Sequence, residues 1–318
     1  MMAQGDNLDV RLAELATLEA RAHKMKRARA SKSPLAKAAK SARALLREGP
    51  AGLARRRAVA QADRTLPPRA DEPTPAWQNR PGCYLGGQRI VVYMAPFGGY
   101  DQVREPWIVP DNIDYRLVTT DVVPGTSAWK HVDPSDVMPP EVAGDPVLAN
   151  RWCKMHPHLL FPQHQTSIYL DSNFLVASDL TALVAGLGAY PVAMFRHKQR
   201  TCVYDEIRAC IVKGKAPRED LEAHERLLRD HGVPQNRGFL EAPVIVRNHA
   251  DQRCVDLMDA WWSAFLAGPS RRDQIALADA LWQLGVEPGT IGTLGPDFRA
   301  CDLLVMLPHG AAQKGGAR

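Results

Sequence analysis

The sequence predicts an α/β protein in which helices flank a mostly parallel sheet, preceded by a basic N-terminal extension that is helical or disordered. Three observations lead to this prediction. The 318 residues are enough for one sizeable domain and an appendage. Short apolar segments typical of strands alternate with helical segments after about residue 85. The excess of positive charge lies in residues 1–80, which contain 17 Lys and Arg against 8 Asp and Glu. The rest of the chain contains 23 Lys and Arg against 27 Asp and Glu.

Residues 1–63 are predicted to form a basic, Ala-rich arm that is helical or disordered. Leu8, Leu12 and Leu15 lie three or four residues apart, which is the spacing of an apolar stripe on a helix. Such an arm can bind an acidic membrane surface, nucleic acid or a partner helix, and we favour the membrane surface over nucleic acid. A solvated, partly disordered tail explains the same composition.

The remaining boundaries follow from composition. Residues 64–84 are predicted to be a Pro-rich linker, residues 85–310 the α/β domain and residues 311–318 a disordered tail. We find no apolar run of the roughly 18 residues that a membrane span needs, and no apolar signal core at the start. We therefore expect a cytoplasmic protein, or one attached peripherally to a membrane. The six cysteines contain no C-x-x-C pair, which indicates buried thiols rather than a zinc ribbon.

Within the α/β domain, four short apolar runs predict strands and two segments predict helices. Gly98 and Gly99 follow the first run and indicate a tight loop. The predicted strands are Arg89–Met94, Tyr115–Thr119, Ser167–Leu170 and Pro191–Phe195. One helix is expected to begin at Ser178 and Asp179 and run through Leu187, and another to span Asp220–His231 before Gly232.

The triplet Asp171-Ser172-Asn173 directly follows the third predicted strand. Ligands of open parallel sheets bind beyond the carboxyl ends of strands. A carboxylate and an amide two residues apart can present oxygens to Mg²⁺ or Mn²⁺, which would neutralise a diphosphate leaving group. The same triplet is also ordinary turn chemistry. Arg151 and Lys154 lie three apart and share one helix face, where they could bind that diphosphate or form a solvated basic face.

Several ordered motifs resemble one known family. These are APFGGYD (95–101), LVTTD (117–121), ANRWCKMHPHLLFPQHQTSIYLDSN (149–173), FRHKQRTCVYDE (195–206), VIVRNH (244–249), WW (261–262) and SRRDQ (270–274). Over about residues 88–285 the sequence resembles the DUF616 group, also called the TOD1/MUCI70 glycosyltransferase-like domain. The resemblance implies a GT-A-type, Rossmann-like fold in which the acidic turn serves as the DxD metal motif, with Asn173 in place of the second acid.

The resemblance also implies roles for other residues. The loop after the first strand would approach the nucleotide, although a glycine turn with Tyr100 as a lid explains it equally. That nucleotide-binding group comprises Phe97, Gly98, Tyr100, Asp101 and Asp121, together with Arg151 and Lys154 at the phosphates. His197, Arg200 and Glu206 follow the fourth strand, where donor and acceptor sugars would meet, although an ion-paired helix start explains them too. Asp273 and Gln274 would contact the sugars, and His309 resembles a late metal ligand of GT-A enzymes.

Three further patterns involve histidine, serine and tryptophan residues. His156, His158 and His164 have no standard zinc-ligand spacing, so we do not expect a zinc site there. Ser270 to Asp273 fits a capping box that opens a helix running to Leu284. One of Trp261 and Trp262, at the end of a helix that begins near Asp251, is expected in the core and the other on a sugar-stacking surface.

The resulting hypothesis is a metal-dependent glycosyltransferase of hexosyltransferase type. It would use Mn²⁺ or Mg²⁺ and transfer a sugar from a UDP- or GDP-linked donor to a glycan or other hydroxyl acceptor. Two alternatives stay open. One is a catalytically inactive GT-A-fold binding module docked through its basic arm, for which Asn173 would mark lost metal affinity. The other is a nucleotide-sugar hydrolase, in which water replaces the acceptor.

Overall fold

The computed structural model describes residues 49–51, 54, 88–99, 101, 103–121 and 128–307. Most of the predicted arm, the predicted linker, Tyr100, His309 and the predicted tail lie outside the described residues. Within those residues, no helix is long and apolar enough to cross a bilayer.

One sheet of seven strands forms the centre of the fold, in the order β3-β2-β1-β4-β7-β6-β8. Its strands are β1 (Ile90–Met94), β2 (Ile113–Val118), β3 (Lys130–Val132), β4 (Thr166–Leu170), β6 (Val192–Arg196), β7 (Leu240–Asn248) and β8 (Gly292–Thr293). Strand β1 pairs in parallel with β2 and β4, and β6 pairs in parallel with β8. Strand β7 runs antiparallel to both of its neighbours. A smaller antiparallel sheet joins β5 (Phe174–Val176) to β9 (Leu304–Met306).

Seven α-helices accompany these strands between residues 128 and 307. They are α1 (Pro140–Ala143), α2 (Pro146–Met155), α3 (Pro157–Leu160), α4 (Val203–Lys213), α5 (Arg218–Asp230), α6 (Gln252–Ala267) and α7 (Asp273–Gln283). Short 3₁₀ segments span Thr181–Gly186, Pro288–Thr290 and Phe298–Ala300.

The two faces of the sheet carry separate cores, because successive side chains of a strand point to opposite faces. Val91 and Tyr93 pack on the face that α2, α6 and α7 cover. Ile90 and Val92 pack on the other face, against β5, β9 and the 3₁₀ segments. Helices α4 and α5 form a third core with Ile275 of α7. Strands β1, β4 and β6 are buried along their whole length, which explains why their sequences do not alternate between apolar and polar residues.

The predicted α/β fold class is confirmed, and the four predicted strands are observed within two residues of their expected bounds. The helix predicted from Asp220 to His231 is observed as α5, and Gly232 after it has φ +74°. The antiparallel strand β7 was not predicted.

Three local predictions were wrong. The segment after Asp179 is a 3₁₀ helix of six residues, although Asp179 does accept a hydrogen bond from the Thr181 amide. Ser270 does not cap α7, because its hydroxyl pairs with His224 and the N-cap residue is Arg272. The helix that carries the two tryptophans continues to Ala267.

Candidate functional site

The loops that follow β1 and β2 are joined at the carboxyl edge of the sheet. The Gly99 amide donates to Asp121 Oδ2 at 3.3 Å. Gly98 has φ +70°, and a Cβ placed on it would lie 3.2 Å from Pro146 Cβ at the start of α2, so only glycine fits this approach. The structure thus brings Asp121 to the glycine turn that contains Gly98, whereas Phe97 is buried in the core and cannot stack on a base.

Helix α2 is fixed against this loop at its first turns. Asp145 caps it by accepting hydrogen bonds from the amides of Val147 and Leu148. Asn150 Nδ2 donates to the carbonyl of Ala95, directly after β1, at 2.6 Å. Arg151 and Lys154 follow on this helix, so their positions are set by the end of β1.

A buried ion cluster lies where α2 meets the start of α7 and the end of β4; we call it the Lys154 cluster. Lys154 is 2% exposed, and its Nζ lies 2.8 Å from Asp273 Oδ2 and 3.7 Å from Asp171 Oδ1. Arg151 Nε lies 3.2 Å from the same Asp273 oxygen. The rings of Tyr169 and Trp261 lie 5.1 and 5.8 Å from Nζ, so aromatic faces surround the ammonium.

The two cations keep Asp273 ionised. Burial alone would raise the pKa of Asp273, but Arg151, Lys154 and Arg272 together hold it far below its usual range. Burial would also lower the pKa of Arg151, yet the carboxylate of Asp273 raises it. The side chains of Arg151 and Asp171 are 24% and 35% exposed and form the part of the cluster that faces solvent.

The turn after β4 separates the two predicted metal ligands that the structure describes. The Asp171 amide donates to the Pro243 carbonyl at 2.8 Å, and the Asp171 carboxylate faces Lys154. Asn173 is buried instead, and its Nδ2 donates to the Leu307 carbonyl at 3.0 Å, next to β9. Among the residues described, no three His, Cys, Asp or Glu side chains form a metal-binding group.

A second group of charged residues follows β6, and we call it the His197 cluster. The amides of Gln199 and Arg200 donate to His197 Nδ1 at 3.1 and 2.9 Å, so Nδ1 carries no proton and the neutral ring carries its proton on Nε2. That Nε2 lies 3.7 Å from Glu206 Oε2 and 3.8 Å from Glu241 Oε1. Arg200 Nε contacts Glu206 Oε2 at 2.5 Å.

Sequence reasoning missed Glu241, which is buried near the start of β7. It pairs across the sheet with Phe195, one of the last residues of β6, so it belongs to the same edge as His197. Burial raises the pKa of its carboxyl to about 7. The available signal was a charged residue within the largely apolar segment Phe239–Val246. Residues that follow a strand were considered as site candidates, whereas Glu241 lies at the start of one.

The remaining predicted residues lie apart or between these clusters. Gln274 lines a small cavity on the side of α4 and Pro288, away from Lys154. Arg272 acts electrostatically on Asp273 and on Cys210, which contacts Glu206, so it lies between the two clusters. Trp261 is the core tryptophan and donates to the Asp273 carbonyl at 2.7 Å.

Trp262 is half-buried and packs against the rings of His156 and Phe265. His156 and His158 lie 4.0 and 3.9 Å from the Asp259 carboxylate, whereas His164 pairs with Asp114 at a separate place. The three histidines therefore do not form one site. Five of the six cysteines lie within the described residues, and all five are buried.

Comparison with known proteins gives one family. The TOD1/MUCI70, glycosyltransferase-like domain matches residues 142–303, which include the Lys154 cluster and the His197 cluster. No curated protein matches the sequence.

The solved structures that are similar to this chain include three glycosyltransferases. The apo bifunctional glycosyltransferase WbbM is 12% identical, with a TM-score of 0.40. The match covers 67% of this chain and 39% of WbbM, so this chain spans less than half the length of WbbM. Galactosyltransferase LgtC, in complex with donor and acceptor sugar analogues, is 12% identical with a TM-score of 0.39, covering 69% and 86%. Mouse xyloside xylosyltransferase 1, in its apo form, is 10% identical with a TM-score of 0.34, covering 64% and 83%. Likenesses this distant transfer no residue roles.

Proposed function

Because this chain belongs to the TOD1/MUCI70 glycosyltransferase-like domain family, we propose that it transfers a sugar from a nucleotide-diphosphate donor to a hydroxyl acceptor. The donor would be a UDP- or GDP-linked hexose and the acceptor a glycan or another hydroxyl compound. The observation that carries this proposal is the Lys154 cluster, which holds two cations on one helix face at the carboxyl edge of the parallel strands.

The cluster suits a diphosphate because its positive charges are fixed before any ligand arrives. Arg151, whose side chain is partly exposed, is the residue that would contact the phosphates directly. Lys154 is buried and would act through its field, which is stronger among the aromatic rings around it than in water. Charge that develops on the leaving diphosphate would be stabilised without further reorganisation.

Asp171 would hold a divalent cation at this edge, and the donor phosphates would supply further oxygen ligands. Bound there, Mg²⁺ or Mn²⁺ would neutralise the leaving diphosphate. Asn173 would contribute to this role indirectly, since its amide holds the turn against Leu307. We assign Asp273 to fixing the two cations, because a carboxyl held so firmly ionised is a poor proton acceptor.

The loops nearby would complete donor binding. Gly98, Asp101 and Asp121 lie at the edge where the nucleotide would extend from the phosphates. His197 would donate its Nε2 proton to a sugar hydroxyl, and Arg200 would hold Glu206 in place.

Isothermal titration with UDP and with GDP, each with and without Mn²⁺, tests the proposal. We expect metal-dependent binding of one nucleotide, and a loss of about ten-fold or more in affinity for Arg151→Met, because a hydrogen bond to a charged group contributes about 1.5–3 kcal/mol. Arg208→Met is the matched control, since Arg208 forms an exposed ion pair with Asp205 on the surface of α4. Asp171→Asn should reduce the effect of Mn²⁺.

Absence of binding to either nucleotide would refute the proposal and favour a binding module. If nucleotide binds, product analysis with a UDP-sugar distinguishes transfer from hydrolysis, because hydrolysis releases the free sugar and forms no glycoside.

A further inference from the structure

Resting on the transfer proposed above, we propose that Glu241 is the residue that takes the proton from the acceptor hydroxyl. Glu241 lies at the start of β7, beside the ends of β4 and β6, where the acceptor would meet the donor sugar. The register between β6 and β7 shifts at this point, so that Met194 pairs with Ile245 but Phe195 pairs with Glu241. Such an irregularity in the strand pairing redirects a side chain, and here it lies on the candidate site.

The carboxyl of Glu241 is incompletely paired. The residue is 5% exposed, and within the described part of the chain Oε2 is buried without a hydrogen-bond partner. Oε1 lies 3.8 Å from His197 Nε2 and 3.5 Å from Arg299 Nη1. An unpaired buried oxygen costs free energy, which a ligand hydroxyl would recover by donating to it.

Three other buried carboxylates near this edge are bound to cations at shorter distances. Asp273 lies 2.8 Å from Lys154, and Glu206 lies 2.5 Å from Arg200. Asp297 pairs with Lys198 at 2.7 Å, which helps to hold its pKa below the usual range against the effect of burial. A carboxylate oxygen that already contacts a cation this closely is less available to accept a proton, so these three are poorer candidates than Glu241.

The groups that face Glu241 agree with this role. The pKa of Glu241 is raised to about 7; burial is the largest cause, Arg299 lowers the pKa, and Asp297 and Glu206 raise it. His197 faces it with a protonated Nε2. At neutral pH a substantial fraction of Glu241 is therefore ionised, and the carboxylate is more basic than an ordinary glutamate.

The step balances as follows. The acceptor oxygen forms a bond to the anomeric carbon of the donor sugar, and the bond from that carbon to the diphosphate oxygen breaks. The electron pair leaves with the nucleoside diphosphate, and the hydroxyl proton moves to Glu241, which becomes a neutral carboxylic acid until it loses the proton to water. Access requires the side chain of Arg299, which is 48% exposed, to move aside.

The test is a pH–rate profile between about pH 5.5 and 8.5 for wild type, Glu241→Gln and Glu206→Gln. The probes are UDP-glucose, UDP-galactose and GDP-mannose with Mn²⁺, with water as acceptor, and the released diphosphate is measured. Glu206 is the matched control, because it is also buried and also faces His197 Nε2.

For wild type we expect kcat to rise with pH through about 7. Glu241→Gln should lower kcat by about 100-fold or more, since general-base catalysis contributes about 10²–10⁴-fold, and should lose the rise with pH. Its affinity for UDP or GDP should stay unchanged. Glu206→Gln should keep the rise. A Glu241→Gln enzyme that keeps both the rise with pH and a kcat within about ten-fold of wild type overturns the inference.

If Glu241→Gln does not fold, Glu241→Asp is measured in the same way. We expect at least about ten-fold lower kcat with an unchanged KM for the donor, and a kcat equal to wild type overturns the inference. Failure of the proposed function looks different, because wild type itself would then bind no nucleotide.

Discussion

Asp273→Asn should destabilise the protein strongly, because it removes the main partner of a buried lysine. Lys154 is 2% exposed, and of its two carboxylate partners in the described part of the chain its ammonium would keep Asp171, whose nearest oxygen is 3.7 Å away. Arg151 would lose the carboxylate that raises its pKa. Breaking a buried ion pair on one side costs about 3–5 kcal/mol, because an uncompensated charge stays behind.

This cost is a large part of the total stability of a domain, which is about 5–15 kcal/mol. For a domain of this size, 1 kcal/mol shifts Tm by about 2–4 °C, so the variant should melt about 6–20 °C below wild type. Differential scanning fluorimetry at pH 7.5 measures the shift.

The matched control is Asp205→Asn, whose partner Arg208 is 62% exposed. Such surface pairs contribute about 0–1 kcal/mol, so Tm should hardly change. The double variant Lys154→Met with Asp273→Asn should melt above Asp273→Asn, since it removes both charges of the buried pair. If Asp273→Asn melts within about 2 °C of wild type, the Lys154 cluster does not hold the edge of the sheet together.

Three other predictions concern stability. Burial lowers the pKa of His224 from 6.5 to about 4, so the unfolded state binds more protons than the folded state between these pH values. The free energy of unfolding should therefore fall as pH falls from about 6.5 to 4. Urea unfolding of His224→Gln should show a weaker dependence of this free energy on pH. Gly268→Ala should cost about 1–3 kcal/mol, because its Cβ would lie 2.4 Å from His224 Cε1, whereas Gly289→Ala, with open space, should be nearly neutral in the same assay. Hydrogen bonding to Arg89 lowers the pKa of Asp114 from 3.8 to about 2. The stabilising effect of Asp114 is therefore present above pH 3.8 and lost as pH falls towards 2. If Tm of Asp114→Asn falls with acid pH as steeply as Tm of wild type, this prediction is wrong.

The sequence predicted those elements whose own residues determine them. The segment Ile90–Met94 is apolar at every position, as expected of a strand buried on both faces of a sheet. Helix α5 has its own apolar stripe and is followed by Gly232. Asp171 and Lys154 were found because the carboxyl end of a parallel strand and a helix face can be read from local spacing.

The missed features depend on contacts between distant residues. Strand β7 has the composition of a parallel strand, and its reversed direction follows from its place between β4 and β6. Ser270 fits a helix cap, but His224, 46 residues away, takes its hydroxyl. Asn173 matches a metal motif by position, whereas its amide belongs to the contact with Leu307. No local pattern contains these partners.

Strand β7 is antiparallel to β4 and β6, so its first residues lie at the candidate site. The connection between α5 and β7, residues 231–239, leads directly to them. His197 donates its amide to the Phe239 carbonyl at 2.8 Å, and the Gly238 amide donates to Thr201 at 2.8 Å. This connection therefore borders the His197 cluster, while the loops after β1 and β2 border the Lys154 cluster. These loops belong to different segments of the chain. An insertion in residues 231–239 can therefore change the surroundings of the His197 cluster without changing the loops beside the Lys154 cluster.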